Sequence, residues 1–370
     1  MNQEPSDPQA PQAVSLDHPW FRRVMVVAAV AAAVGAGGVG LIRWLDEPDR
    51  RGTASTTTLP SSTLLTTTTT APTTTAPEVI PDTPIDIGAL PPTRSAPPSQ
   101  AVAVTSDGRL VVIDTATGAE RRELAHRDDP RVPHDEGGPS VIDGVTVSPD
   151  DATVWFSTCC EPASGAVFRV PVDGSAPEEH VFDAYDPTMS ASSRYVAGVS
   201  SPGVIVHDPV GDWGRVWWDD RRSGDYQEVA WSLDGAHIAV RVGLEGELLL
   251  LDTRHFAFTE AEPSFTSPLE PRTVDGTGWL QPLFSRDGTL VAAHGADGTG
   301  WTRRTIDWTS GATTSEVPLP SKPLSQTYDA TGEWLVTTLE DPGDAGGHVR
   351  WEGPGGKTGT IPGTFRLVAW

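Results

Sequence analysis

The stretch YQEVAWSLDGAHIAVRVGLEGELLLLDT, residues 226–253, contains three apolar runs separated by two acidic glycine turns. Each run is five to seven residues long and rich in Val, Leu, Ala and aromatics. Each turn supplies Asp-Gly or Glu-Gly, where a positive φ lets two strands reverse tightly. Alone it reads as a β-meander. Its value is that both ends of the 99–370 region overlay it. AVAVTSDGRLVVIDT (101–115) lies over AVRVGLEGELLLLDT (239–253) without a gap, and FRLVAW (365–370) lies over YQEVAW (226–231). The region thus opens on what is a second strand in the middle copy and closes on a first strand. The expectation is a ring closed by its C-terminal strand, with no orphan edge.

The first turn of this unit recurs. Apolar runs flank Ser-x-Asp-Gly or a relative in VTVSPDDATVWF (145–156), PTMSASSRYVAG (187–198), VAWSLDGAHIAV (229–240), PLFSRDGTLVAA (282–293) and QTYDATGEWLVT (326–337). A third strand follows, ending in a hydrophobic-Asp step, as in VVIDTATG (111–118), FRVPVDG (168–174), VIVHD (204–208), LLLLDT (248–253) and TIDWTSG (305–311). A fourth, more polar strand comes next, as in ERREL (120–124). Four strands in a repeat of this length is the pattern of a β-propeller blade, and a regular phase over five copies argues against a β-sandwich. The fold expected for 99–370 is an all-β, six-bladed β-propeller of four-stranded antiparallel blades.

These Ser-x-Asp-Gly turns resemble those of the WD-like propeller repeats of the TolB type. Two copies depart from the pattern: SPDD lacks the glycine and SASS lacks both Asp and Gly. The resemblance implies the fold. Its members range from periplasmic translocation factors to propeller caps of peptidases, so it implies no single function.

Upstream, residues 24–42 (VMVVAAVAAAVGAGGVGLI) carry no charge and sit between Arg22–Arg23 and Arg43. Nineteen residues at ~1.5 Å each match the hydrocarbon core of a bilayer, and Trp20 and Trp44 stand where interfacial aromatics belong. The 23 residues before the run and the absence of a small-x-small cleavage site favour an uncleaved transmembrane helix over a removed leader. Residues 53–77 hold thirteen threonines and no charge. Such a tract buries too little apolar surface to fold and reads as a glycosylatable stalk. A Pro-rich spacer continues it, giving a disordered linker over 43–98. The expected order is a cytoplasmic tail (1–23), one membrane helix, the linker, and an extracytoplasmic propeller anchored in the cell membrane. Arginine-dominated, Ala- and Gly-rich composition is similar to that of high-GC actinobacterial proteins.

A formal charge of −24 excludes nucleic-acid binding by phosphate neutralisation. Catalytic motifs are missing from the sequence: there is no G-x-S-x-G elbow and no Ser-x-Asp-x-Gly-x-x-Trp turn. Histidines such as His126, His134, His207 and His294 are scattered without metal-ligand spacing. No cofactor is expected. A lactonase-like metal centre would need inward carboxylates, for which Asp186 and Glu228 stand closest to innermost strands. The acidic glycine loops 294–300 and 341–347 read as solvated loops before they read as Ca²⁺ sites.

Two features invite functional readings. Cys159 and Cys160 are the only cysteines and are adjacent. In an oxidising compartment a vicinal disulfide at the strand 2–3 hairpin is the first reading, a pair of buried thiols the second, and a metal or intermolecular redox role the third. Cys-Cys-Glu-Pro at this hairpin is similar to actinobacterial membrane-anchored propellers of unassigned function. Trp213, Trp217 and Trp218, with Arg221 and Arg222, form an aromatic-basic group on an outer strand of the third blade. They read as a protein or glycan contact, or as ordinary edge-strand packing. Trp155, Trp231, Trp279, Trp308, Trp334 and Trp370 read as core between blades. The function expected is a binding or scaffold module for an envelope protein or wall glycan. The alternatives are a metal-dependent propeller hydrolase, or a sensor coupled through the tail to a cytoplasmic partner.

Overall fold

The computed structural model describes residues 91–127, 141–159, 165–200, 203–211, 213–218, 226–258, 271–296, 300–341 and 346–370. The expected tail, membrane helix and most of the linker lie outside these residues, as do Cys160, Arg221 and Arg222. Among the described residues no helix is long and apolar enough to cross a membrane.

The described residues form twenty-five strands in six sheets. Blade 1 is ordered β25 (Leu367–Ala369), β1 (Gln100–Val104), β2 (Arg109–Asp114), β3 (Glu120–His126). Blade 2 is β4 (Val141–Val147), β5 (Thr153–Cys159), β6 (Ala166–Pro171), β7 (Glu179–Phe182). Blade 3 contains β8 (Tyr185–Met189), β9 (Val196–Ser200), β10 (Gly203–Asp208) and β11 (Trp213–Trp218). Blade 4 contains β12 (Tyr226–Trp231), β13 (His237–Val242), β14 (Glu247–Asp252) and β16 (Arg272–Val274). Blade 5 runs β17 (Trp279–Phe284), β18 (Leu290–Ala296), β19 (Gly300–Asp307), β20 (Ala312–Leu319). Blade 6 runs β21 (Pro323–Tyr328), β22 (Leu335–Glu340), β23 (Gly347–Gly353), β24 (Lys357–Phe365). Every described pairing is antiparallel, as hairpin-connected strands require.

The ring closes as the overlay of its two ends predicts. β25 pairs with β1 through Val102–Ala369, Ala103–Val368 and Val104–Leu367. The Arg366 N–H donates to the Val104 carbonyl at 2.8 Å. Blade 3 departs from the four-strand pattern. A two-residue strand, β15 (Ala257–Phe258), reaches back from blade 4 and pairs with Arg215 and Val216 of β11. That contact covers part of an edge which would otherwise offer unpaired backbone groups.

Four of the five first-to-second-strand turns close on the fifth residue after the turn Ser or Asp, and the Ser285 turn closes on the fourth, Thr289. Ser232 N–H donates to the His237 carbonyl at 2.9 Å, and Ser232 Oγ accepts the His237 N–H at 2.8 Å. Ser148 and Ser190 repeat these bonds with Thr153 and Tyr195. The fourth turn residue is left-handed in every copy: Gly235, Gly288 and Gly332 at φ 70°, 79° and 71°, but Asp151 and Ser193 at 58° and 59°. The two degenerate copies therefore keep the turn and take the steric cost of a side chain at positive φ.

Apolar clusters fill five of the seams between blades. Ile142, Val154 and Phe156 meet Val102, Val104 and Leu110 at seam 1–2. Trp155, Ala184 and Val196 join blades 2 and 3. Trp217, Tyr226 and Trp231 lie in seam 3–4, Trp279 and Phe284 in seam 4–5, and Trp334, Val368 and Trp370 in seam 6–1. Across seam 5–6 Arg303 makes a two-point pair with Glu352 at 2.8 and 2.6 Å.

The expected linker boundary at 98 is corrected: residues 91–98 lie against the propeller. Arg286 donates to the Pro91 carbonyl at 2.9 Å, Trp334 Nε1 to Arg94 O at 3.2 Å, and Lys357 to Ser95 O at 3.0 Å. Arg94 pairs with Asp151 at 2.8 Å, and Thr115 Oγ1 donates to Pro98 O at 2.7 Å. The segment has no secondary-structure period. Its order comes from carbonyls that side chains of blades 1, 5 and 6 happen to reach, which composition does not reveal.

Candidate functional site

The inner strands surround a cavity of about 370 Å³ on the axis of the disc. Superposing the repeats on their shared turn places Gly144, Asp186, Glu228, Gln281, Ser325 and Leu367 at one position, near the start of each inner strand. Immediately beside it the pairing slips in five strands: between Ile142 and Gly144, Tyr185 and Thr188, Tyr226 and Glu228, Leu280 and Leu283, and Pro323 and Ser325. A bulge of this kind re-aims a side chain out of the pleat.

Re-aimed in this way, the ring residues reach the next blade. Asp186 Oδ2 accepts the Val229 N–H at 2.8 Å, and Glu228 Oε2 accepts the Gln281 N–H. Gln281 Nε2 donates to the Leu324 carbonyl at 2.5 Å, and Ser325 Oγ accepts the Val368 N–H at 3.2 Å. Gly144 has no side chain to offer, and Ser157 on β5 replaces it, accepting the Asp186 N–H at 3.0 Å while donating to Asp143 at 2.5 Å. Each bond satisfies a backbone N–H or carbonyl of an innermost strand. Asp186 and Gln281 adopt φ of 47° and 50°, left-handed conformations rare for such residues.

The electrostatics follow from the geometry. Asp186 faces the cavity but is surrounded by protein, and burial pushes its carboxyl well above the usual range, with the nearby Glu228 and Asp143 charges adding to the effect. Burial also raises Glu228, opposed by Arg241, whose guanidinium lies 3.9 Å away, and by its bond from Gln281. At the Ser-turn end of the inner strands Trp231, Phe284 and Trp370 are buried in the seams between blades. The end carrying the ring is polar.

The sequence-predicted residues are divided by the structure. Asp186 and Glu228 are brought into one cavity, as innermost-strand acids should be. Each has an oxygen occupied by a neighbouring backbone N–H. Among the described residues no group of three or more His, Cys, Asp or Glu side chains could hold a metal ion. Trp213, Trp217 and Trp218 lie on the fourth strand of blade 3, as expected. Trp217 is 2% exposed and packs edge-on against Tyr226 at 6.1 Å, so it fills a seam and is not surface. Cys159 ends β5 at the expected strand 2–3 connection. Trp155, Trp231, Trp279, Trp334 and Trp370 are all buried, with Trp308 packed against their neighbours. The ring escaped sequence reading because its members are Gly, Asp, Glu, Gln, Ser and Leu. Only their constant distance from the turn residue could have exposed them.

No family model matches the chain, and no curated protein does. Among solved structures, TolB from Acinetobacter baumannii aligns with a TM-score of 0.53 at 13% identity, over 73% of this chain and 65% of that one. The chain thus spans about two thirds of the TolB structure's length. A chain of a nidogen/laminin complex aligns with a TM-score of 0.49 at 12% identity, over 73% and 97%. Hydrazine synthase of Kuenenia stuttgartiensis aligns at 0.39 and 17%, over 64% and 70%. The TolB likeness is one of fold.

Proposed function

We propose that the chain is a membrane-anchored, extracytoplasmic binding module whose propeller presents a rigid disc and its axial cavity to a partner in the cell envelope, a protein or wall glycan. The observation that carries this reading is the ring of inter-blade bonds. It fixes a preformed cavity, and its two central carboxylates each hold a neighbouring blade's backbone. A binding surface needs to be rigid and shaped, and these bonds hold the cavity wall in place. The apolar run 24–42 and the Thr-rich stretch after it supply the anchor and spacer, and the TolB-like fold is consistent with a partner-binding role.

Capture from cell envelopes with the purified protein as bait tests the reading. Specific retention of one envelope component, competed by excess soluble propeller, is the expected result. Empty capture, or a stoichiometric divalent ion removable only by a strong chelator together with hydrolytic turnover, sinks it in favour of an enzyme.

A further inference from the structure

We propose that the cavity wall at the seam between blades 5 and 6 is a binding site for one neutral sugar unit, a ligand whose polar groups both donate and accept hydrogen bonds. This rests on the binding-module reading and names a ligand class for its cavity.

The argument begins with Gln326 on β21. It lines the cavity and is 4% exposed, yet neither Oε1 nor Nε2 has a hydrogen-bond partner among the described residues. A buried amide left unpartnered on both sides costs ~1–3 kcal/mol per group, and native structures hold few of them. It is accompanied by Gln281 Oε1, also buried and unpartnered. The two glutamines belong to the innermost strands of blades 6 and 5. At the equivalent position to Gln326, blades 4 and 1 have Val229 and Val368, which pack into apolar seams. Here the repeat has exchanged an apolar contact for an amide without supplying its partner.

What would satisfy these atoms is constrained. Gln326 offers an NH2 group that donates and an oxygen that accepts, and Gln281 a second accepting oxygen. A simple cation only donates and a simple anion only accepts, so each would leave part of the set orphaned. The surrounding charges do not select one either. Arg241 balances Glu228, and Asp186 is held toward its neutral form by burial. Sugar hydroxyls, and the acetamido group of an amino sugar, both donate and accept. A volume of about 370 Å³ falls in the lower part of the ~300–1,000 Å³ range of small-molecule sites.

The test is titration of the full chain with N-acetylglucosamine and with glucose, followed by saturation-transfer NMR and calorimetry, with glucosamine and glucuronate as charged controls. Saturable binding of a neutral sugar is expected, weakened at least about tenfold in Gln326→Leu. That variant replaces an unsatisfied amide with an apolar group of similar size, so its Tm should hold or rise. The proposal is overturned if neither neutral sugar saturates, if the charged sugars bind as well, or if Gln326→Leu binds unchanged. Envelope capture distinguishes the two readings. A partner retained equally by parent and Gln326→Leu, with no sugar binding, overturns the sugar site and leaves the binding module standing.

Discussion

Replacing Trp370 by alanine tests ring closure at a single side chain. Trp370 is 5% exposed in seam 6–1, among Trp334, Val336 and Val349, and its Nε1 donates to the Trp334 carbonyl at 3.0 Å. Truncating a buried Trp costs ~3–5 kcal/mol in lost transfer energy and cavity. The hydrogen bond adds little, because the Trp334 carbonyl keeps a second donor, the Asp329 N–H at 2.8 Å. Trp370→Phe, which keeps most of the ring and loses that bond, should therefore cost only ~1 kcal/mol. At ~2–4 °C per kcal/mol for domains approaching this size, Tm should fall by about 10 °C for alanine and about 2 °C for phenylalanine. Deleting 364–370 removes Trp370, Val368 and the β25–β1 pairing together and bares the edge of β1. That loss approaches the whole ~5–15 kcal/mol stability of a domain, so no cooperative melt should remain. Calorimetry on the three variants reads all of this. A deletion that melts like the parent, or an alanine variant within ~1 kcal/mol of it, would refute closure by the terminal strand.

Two further outcomes follow from backbone and charge. Asp186 has its carboxyl pushed up in the folded protein, so its contribution to stability is full below the ordinary carboxylate range and is lost as pH rises through its folded value. Asp186→Asn keeps an acceptor for the Val229 N–H and tolerates the left-handed backbone. It should raise Tm at neutral pH and flatten the decline between acid and neutral, as a Tm-against-pH series would show; a Tm below the parent's at pH 7 would contradict this. Ser193→Gly removes a side chain from φ 59° and should stabilise by ~0.5–1 kcal/mol in denaturant melts, with a loss of stability as the refuting result.

Much of the architecture was legible before any coordinates. Turn residues at a steady spacing identified the blades, because a tight reversal needs Ser or Asp to bond its own backbone and a residue that accepts positive φ. Overlay of FRLVAW on YQEVAW placed the closing strand, and the tryptophans beside strands proved to be seam fillers. Trp217 belongs with them, although the charges flanking it in sequence suggested a surface. Neighbours in sequence do not report which blade a side chain turns toward. Residues 91–98 looked like more spacer for the same reason: their order depends on Arg286, Trp334 and Lys357, which lie about 190–260 positions away.

The amino-acid sequence by itself determined the repeat, the number of blades and the way the ring shuts, since these depend on local turn chemistry and alternation. Tertiary structure alone decided the cavity. Its ring residues share no residue type, and the four that reach across, Asp186, Glu228, Gln281 and Ser325, each lie beside a bulge and find a partner on the next blade some forty to fifty residues on. Whether an acid at such a place stays charged, or an amide goes unpartnered, is set by how completely six blades exclude water around it. No single blade contains that information.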